Sequence, residues 1–77
     1  MLEIDLHGLS HSQCVERTED FLLNNCNHSG VYEFSIITGN SPKLQQLIIN
    51  KVLLKHGFTK FYILERNRGQ LLVHNII

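Results

Sequence analysis

The feature that most constrains the fold of this chain is a change of hydropathy period that happens twice. Leu2, Ile4 and Leu6 alternate with Glu3, Asp5 and His7, the period-two pattern of a half-buried strand. Gly8 interrupts it. Cys14, Thr18, Phe21 and Leu22 then follow a helical stripe, with Val15 beside it, to about residue 25. Residues 31–38, VYEFSIIT, form a second strand-like run whose mixed alternation predicts a more central strand. Gly39 ends that run, and Leu44, Leu47, Ile48 and Val52 line one side of a second helix.

Local signals mark where the helices begin and stop. Ser10 with Gln13 three residues on is a capping-box pattern. Ser41 followed by Pro42 reads as an N-cap and a first helical position. Gly57 reads as the glycine that ends the second helix. Residues 58–64 and 71–77 are strand-like, and the short connection 65–70, ERNRGQ, predicts a hairpin between them.

The order is therefore β-α-β-α-β-β in one domain spanning 1–77. If the first three strands run in one direction, right-handed crossovers put both helices on one face. The expected fold is an α/β two-layer sandwich on a four-stranded mixed sheet with one open face. Leu2, Ile4 and Leu6 are expected to face the helices, and Asp5 and His7 to face out. The last strand, LLVHNII, reads as an unpaired edge on which a second copy can pair.

Composition supports a folded domain without staples. Apolar residues make up 43% of the 77, enough for a core, and the single proline leaves no disordered stretch. No apolar run is long enough to span a membrane, and the start MLEIDLHG lacks a signal pattern. The expected location is the cytoplasm, with Cys14 and Cys26 as free thiols. The formal net charge of zero conceals a separation: residues 1–35 carry a net minus five and residues 36–77 a net plus five. Such a separation gives either a basic surface or two helix faces that attract each other.

The loops HGLS, after the first strand, and TGNS (38–41), after the second, both run into helices. The C-terminal ends of parallel strands are where α/β folds place ligands, and helix N-termini favour anions. A phosphate seat is expected there, with His7 and Thr38 beside it. Arg66 and Arg68 at the hairpin tip, with Lys60 in the strand before, suit a nucleic-acid backbone. The plainer account is a soluble sheet edge. Tyr32 and Tyr62 suit stacking on bases or filling the core rim, and His74 reads as structural. His11 with residues 26–28, CNH, lacks a second ligand pair at zinc spacing.

IDLHG followed by an amphipathic helix, then FSIITGNS, a second helix and a closing hairpin, resembles the small MutS-related (Smr) domain over essentially the whole chain. That family carries Leu-Asp-x-His on its first strand and His/Thr-Gly-x-Gly after its second. Ile4-Asp5-Leu6-His7 matches the first motif with Ile for Leu. Thr38-Gly39-Asn40-Ser41 matches the second at its first two positions, with Ser41 where the last glycine stands. The glycine-rich stretch that often precedes the family's last strand is reduced to Gly69.

The resemblance implies a fold similar to the C-terminal domain of bacterial translation initiation factor 3. It also implies binding of DNA or RNA, by shape and backbone rather than by base sequence, and endonuclease activity in many members. Carried over to these residues, Asp5 and His7 are the catalytic candidates. Gly8, Thr38, Gly39, Asn40, Ser41 and Lys43 are the phosphate-binding candidates. His7 is a candidate proton acceptor or donor. Asp5 is a candidate to orient an imidazole or to help hold a divalent cation, magnesium or manganese. The other outcomes are a module that grips nucleic acid without cutting it, and a protein-interaction domain whose motifs only shape its loops.

Overall fold

Alternation places Leu2–Asp5 in β1, and the Ser10 cap starts α1, His11–Asn25. β2 follows as Glu33–Ile37 and α2 as Pro42–Ile48, which continues into a π-helical turn at Ile49–Leu53. β3 is Phe61–Ile63 and β4 is Gln70–His74. This computed structural model describes residues 2–25, 33–64 and 69–74. Cys26, His28, Tyr32, Arg66 and Arg68, all named above as candidates, lie outside the described residues.

The sheet order is β1-β2-β4-β3. β1 pairs parallel with β2, Leu2 beside Phe34 and Asp5 beside Ile37. β4 runs antiparallel to both β2 and β3, with Phe34 and Phe61 each opposite Val73. β1, β2 and β3 therefore share one direction, and β3 and β4 form the expected hairpin. The fold is a small two-layer α/β sandwich on a four-stranded mixed sheet. One expectation is overturned: β4 is not an edge. It is inserted between β2 and β3, where Leu71, Leu72 and Val73 are buried. The edges are β1 and β3.

Both helices pack on the face that carries Ile4, Phe34, Ile36, Phe61, Leu71 and Val73. Cys14 and Leu22 of α1 join Leu44, Ile48, Val52 and Leu53 of the second helix in that core. Burying side chains of this size stabilises a fold by about 1.5–3 kcal/mol each. Phe21 meets Phe34 edge to face at 5.5 Å between ring centroids. Leu6 is buried and Ile4 partly so, as the alternation requires, but Leu2 at the end of the edge strand is exposed. The other sheet face is less open than expected. Ser35 and Leu72 are buried on it, and Gln70 Nε2 donates to Ser35 Oγ. Tyr62 is half exposed there, in edge contact with His74, and does not fill the core rim.

The helix ends follow the local chemistry. Gln13 N–H donates to Ser10 Oγ at 3.3 Å and Ser10 N–H donates to Gln13 Oε1 at 3.0 Å, the reciprocal bonds of a capping box. Leu44 N–H donates to Ser41 Oγ at 3.3 Å. At the far end Gly57, with φ +81°, allows Phe58 N–H to reach Leu53 C=O at 2.8 Å and Gly57 N–H to reach Leu54 C=O at 3.3 Å. That pair of bonds is the Schellman motif. Part of the charge separation is spent between the helices. Glu19 of α1 meets His56 Nε2 at 2.8 Å and Lys55 Nζ at 3.6 Å. Among the described residues no helix is long and apolar enough to cross a membrane.

Candidate functional site

The parallel β1–β2 pair brings both glycine loops to the same end of the sheet. Leu6 N–H donates to Ile37 C=O at 2.9 Å, so the two loops leave from neighbouring points. The first loop is a tight turn from Leu6 to Leu9. Leu9 N–H donates to Leu6 C=O at 3.3 Å, and Gly8 holds φ +80° at the third position, where a type II turn needs a positive φ. Asp5 Oδ1 accepts from His7 N–H at 2.9 Å. This is an Asx-type bond that fixes the start of the turn.

The expected same-face strand pair is therefore corrected. β1 ends at Asp5, and His7 belongs to the turn. The Asp5 carboxylate holds the His7 backbone, and it positions the imidazole through that backbone rather than by a bond to the ring. Both side chains are exposed.

The second loop is braced from inside. Gly39 has φ +71°, and Ser41 N–H donates to Gly39 C=O at 2.8 Å around Asn40. Thr38 N–H donates to Gly69 C=O at 2.7 Å. The buried Thr38 hydroxyl accepts from Gln45 Nε2 at 3.0 Å and lies 2.9 Å and 3.2 Å from the carbonyls of Gly39 and Gly69. Thr38 shapes the loop with its hydroxyl, and Gln45, which the sequence reading passed over, is its partner. The Ser41 backbone is extended, with φ −130°. No positive φ is needed at Ser41. Serine there caps the helix without strain.

Together the loops line a cleft of about 400 Å³. Asp5, His7, Gly8, Thr38, Gly39 and Ser41 all border it, above a floor that includes Leu6, Leu9 and Leu44. His11 borders it too, a residue weighed above only as a zinc ligand. Its signal was its place just after the capping Ser10, at the start of α1. Asn40 and Lys43 are exposed beside the cleft without lining it.

Lys60 is elsewhere. Its carbonyl accepts from His74 N–H at 3.0 Å, and His74 lies opposite Glu33 at the start of β2. That is the opposite end of the sheet from the cleft. The described flanks of the hairpin tip, Leu64 and Gly69, are at the cleft end, where Gly69 meets the 38–41 loop.

The cleft is a poor cage for a cation. Among the described residues Asp5 is the one carboxylate lining it, with an oxygen already bonded to a backbone amide. Among the described residues no group of three or more His, Cys, Asp or Glu side chains is placed to hold a metal ion. What the cleft does offer is two imidazoles, a serine hydroxyl and two glycine turns. The caps take up the first-turn amides of Gln13, Cys14, Leu44 and Gln45, so an anion here meets side chains and turn backbone more than bare helix ends.

No protein-family model, no curated protein and no solved structure matches the chain.

Proposed function

We propose that this chain is a nucleic-acid-binding domain of the Smr type, with a fold similar to the C-terminal domain of bacterial translation initiation factor 3. Its cleft seats a phosphodiester and hydrolyses or transfers it. The observation that carries the proposal is the convergence of IDLHG and TGNS, far apart in sequence, on the walls of one cleft. Phosphodiester cleavage needs proton transfer at the attacking and leaving oxygens and charge stabilisation at the phosphoryl group. His7 is the proton-transfer group, an imidazole being suited to that task near neutral pH. Asp5 sets its placement through the His7 N–H. The Ser41 hydroxyl, already accepting from Leu44 N–H, retains its proton to donate to a phosphoryl oxygen. Lys43 at the start of α2 supplies positive charge; Arg66 and Arg68 lie outside the described residues. Lys60 is not part of this surface.

The test is a cleavage assay on supercoiled DNA and structured RNA, with and without magnesium or manganese, beside His7→Ala. Cleavage lost in the variant supports the proposal. A second reading, a module that binds without cutting, is favoured by the inward commitment of the Thr38 hydroxyl and by the engagement of Asp5 Oδ1 with the His7 backbone. It is distinguished by salt-dependent binding that His7→Ala leaves intact and by the absence of cleavage. A salt slope near zero sinks both, because phosphate-led binding releases counterions.

A further inference from the structure

We infer that this domain pairs with a second copy of itself through its helix layer, α1 of each copy lying over α2 of the other. The inference does not depend on the chemistry of the cleft. It starts from the charge separation, of which the Glu19 contacts with Lys55 and His56 use a part. α1 carries Glu16, Glu19 and Asp20 against Arg17, whereas residues 42–56 carry Lys43, Lys51 and Lys55 and no carboxylate. Glu16, Asp20, Lys43 and Lys51 are exposed. Among the described residues none of these four has an ion-pair partner.

Helical periodicity turns these groups away from the sheet. Cys14, Thr18 and Leu22 are the buried side of α1, and Glu16, Asp20 and Leu23 form an exposed stripe on the opposite side. Arg17 is about 100° round the helix from Glu16 and off that stripe. On the second helix Leu44, Ile48 and Val52 are buried, while Lys43, Asn50 and Leu54 are exposed on the other side. The π-helical turn buries both Val52 and Leu53 and leaves Leu54 outside. Leu23 and Leu54 are 53% and 52% exposed. Leu23 is one turn past Glu19 and Leu54 precedes Lys55, so the Glu19 contacts hold both leucines at the same end of the layer.

The charges choose between two symmetry axes. β1, β2 and β3 share one direction and both helices return against it, so α1 and α2 run side by side the same way. A two-fold axis across the helices sets α1 on α1 and α2 on α2, acid on acid and lysine on lysine. A two-fold axis along them sets α1 over α2 of the second copy. Glu16 and Asp20 then face the basic helix, and Leu23 of each copy faces Leu54 of the other. The contact is isologous and closes at two copies. Because both helices start at the cleft end, the same axis leaves the two clefts at one end of the dimer.

The experiment is sedimentation of the full chain up to about 1 mM, beside Glu16→Lys/Asp20→Lys and Lys43→Glu/Lys51→Glu, each alone and the two mixed. The parent should dimerise. Its affinity should fall about tenfold between about 0.1 M and about 1 M salt, as the screening length shrinks from about 10 Å to about 3 Å. Each double variant alone sets like charges against each other and should self-associate about 100-fold more weakly or less. Mixed in equal amounts, the two should pair with close to parental affinity, because the basic α1 of one meets the acidic α2 of the other. That recovery also shows that both are folded.

A parent that is still monomeric at about 1 mM overturns the inference. So does a dimer that both variants retain, which points to strand pairing at an edge of the sheet, and so do variants that fail to pair on mixing. A monomeric parent that binds nucleic acid, with binding lost in Lys43→Glu/Lys51→Glu, gives the basic helix to nucleic acid instead and leaves the proposed function standing.

Discussion

Gly69 and Gly39 are in backbone contact: a Cβ added to Gly69 would stand 3.0 Å from the Gly39 carbonyl carbon and 3.1 Å from its Cα. Thr38 N–H donates to the Gly69 carbonyl beside this contact. Gly69, just before β4, is thereby held against the loop that forms one wall of the cleft. Glycine is required at the two positions for different reasons. At Gly69 the obstacle is neighbouring backbone. At Gly39 a Cβ meets open space, but φ is +71°.

Alanine and asparagine separate those reasons. Gly69→Ala forces backbone apart and should destabilise by about 1–3 kcal/mol, as overpacking does. Gly39→Ala should lose about 1–2 kcal/mol to the left-handed conformation. Gly39→Asn should recover most of that loss, because asparagine visits this region readily. Gly69→Asn should recover nothing. Urea unfolding of the four variants is the measurement, and equal behaviour of the two asparagine variants contradicts the steric assignment.

At the helix cap, Ser41→Ala removes the oxygen that accepts from Leu44 N–H and should lose about 1 kcal/mol. Ser41→Gly should lose only a few tenths of a kcal/mol. It should not stabilise the fold, because the serine φ of −130° leaves no strain for glycine to relieve. A Ser41→Gly variant more stable than the parent would refute this account of the cap.

What could be read from the sequence was what local chemistry decides. The Ser10–Gln13 capping box, the Ser41 cap before Pro42 and the positive φ of Gly57 each depend on neighbours within a few residues. The convergence of the two glycine loops was legible too, because parallel strands with short exits leave little choice. Features fixed by distant partners were not legible. No local signal says that β4 slides between β2 and β3, since a hairpin satisfies its turn on either side. Gly69 against Gly39, and Gln45 holding Thr38, are contacts of tertiary packing. His7 looked like a strand residue because alternation cannot mark the point where a ladder stops. The Asp5 carboxylate decides that by bonding the His7 amide.

Stability in acid should depend on Glu19. Its hydrogen bond to His56, with the charge of Lys55 adding to it, holds the Glu19 carboxyl below the usual carboxylate range against the opposing effect of desolvation. A carboxyl whose folded value lies below its unfolded value stabilises fully above the unfolded value of about 4.3, and loses that contribution as pH falls through the lowered one. The parent should therefore lose melting temperature more steeply than Glu19→Gln between about pH 5 and pH 3. Parallel melting curves across that range would refute the linkage.

The buried Cys14 should be chemically silent. Its sulfur lies 3.8 Å from the carbonyls of Leu6 and Leu9 beneath the first loop, and desolvation pushes the thiol above its ordinary value. Thiolate is the reactive form. In a Cys26→Ser variant, Cys14 should react with an aromatic disulfide reagent only when the domain opens. Labelling should accelerate in urea in step with unfolding. Rapid labelling in native buffer would mean that the loop over Cys14 opens without global unfolding.

Thr38 is the residue at which the proposed phosphate seat and the packing make different demands. If its hydroxyl bound phosphate, Thr38→Val would impair nucleic-acid binding more than folding. In the structure that hydroxyl accepts from Gln45 Nε2 in a buried site and faces two backbone carbonyls. Thr38→Val should therefore destabilise by about 1–3 kcal/mol, the penalty for stranding a buried polar partner. Adding Gln45→Leu should return part of that loss, because replacing both partners of a buried hydrogen bond costs less than replacing one. Thr38→Ser keeps the hydroxyl and should stay closer to the parent in stability. Binding by the folded fraction of Thr38→Val should remain at the parental level. Urea curves for the single and double variants, with binding measured at a temperature where each is folded, decide between the roles. Weak binding by a fully folded Thr38→Val would return the hydroxyl to the ligand.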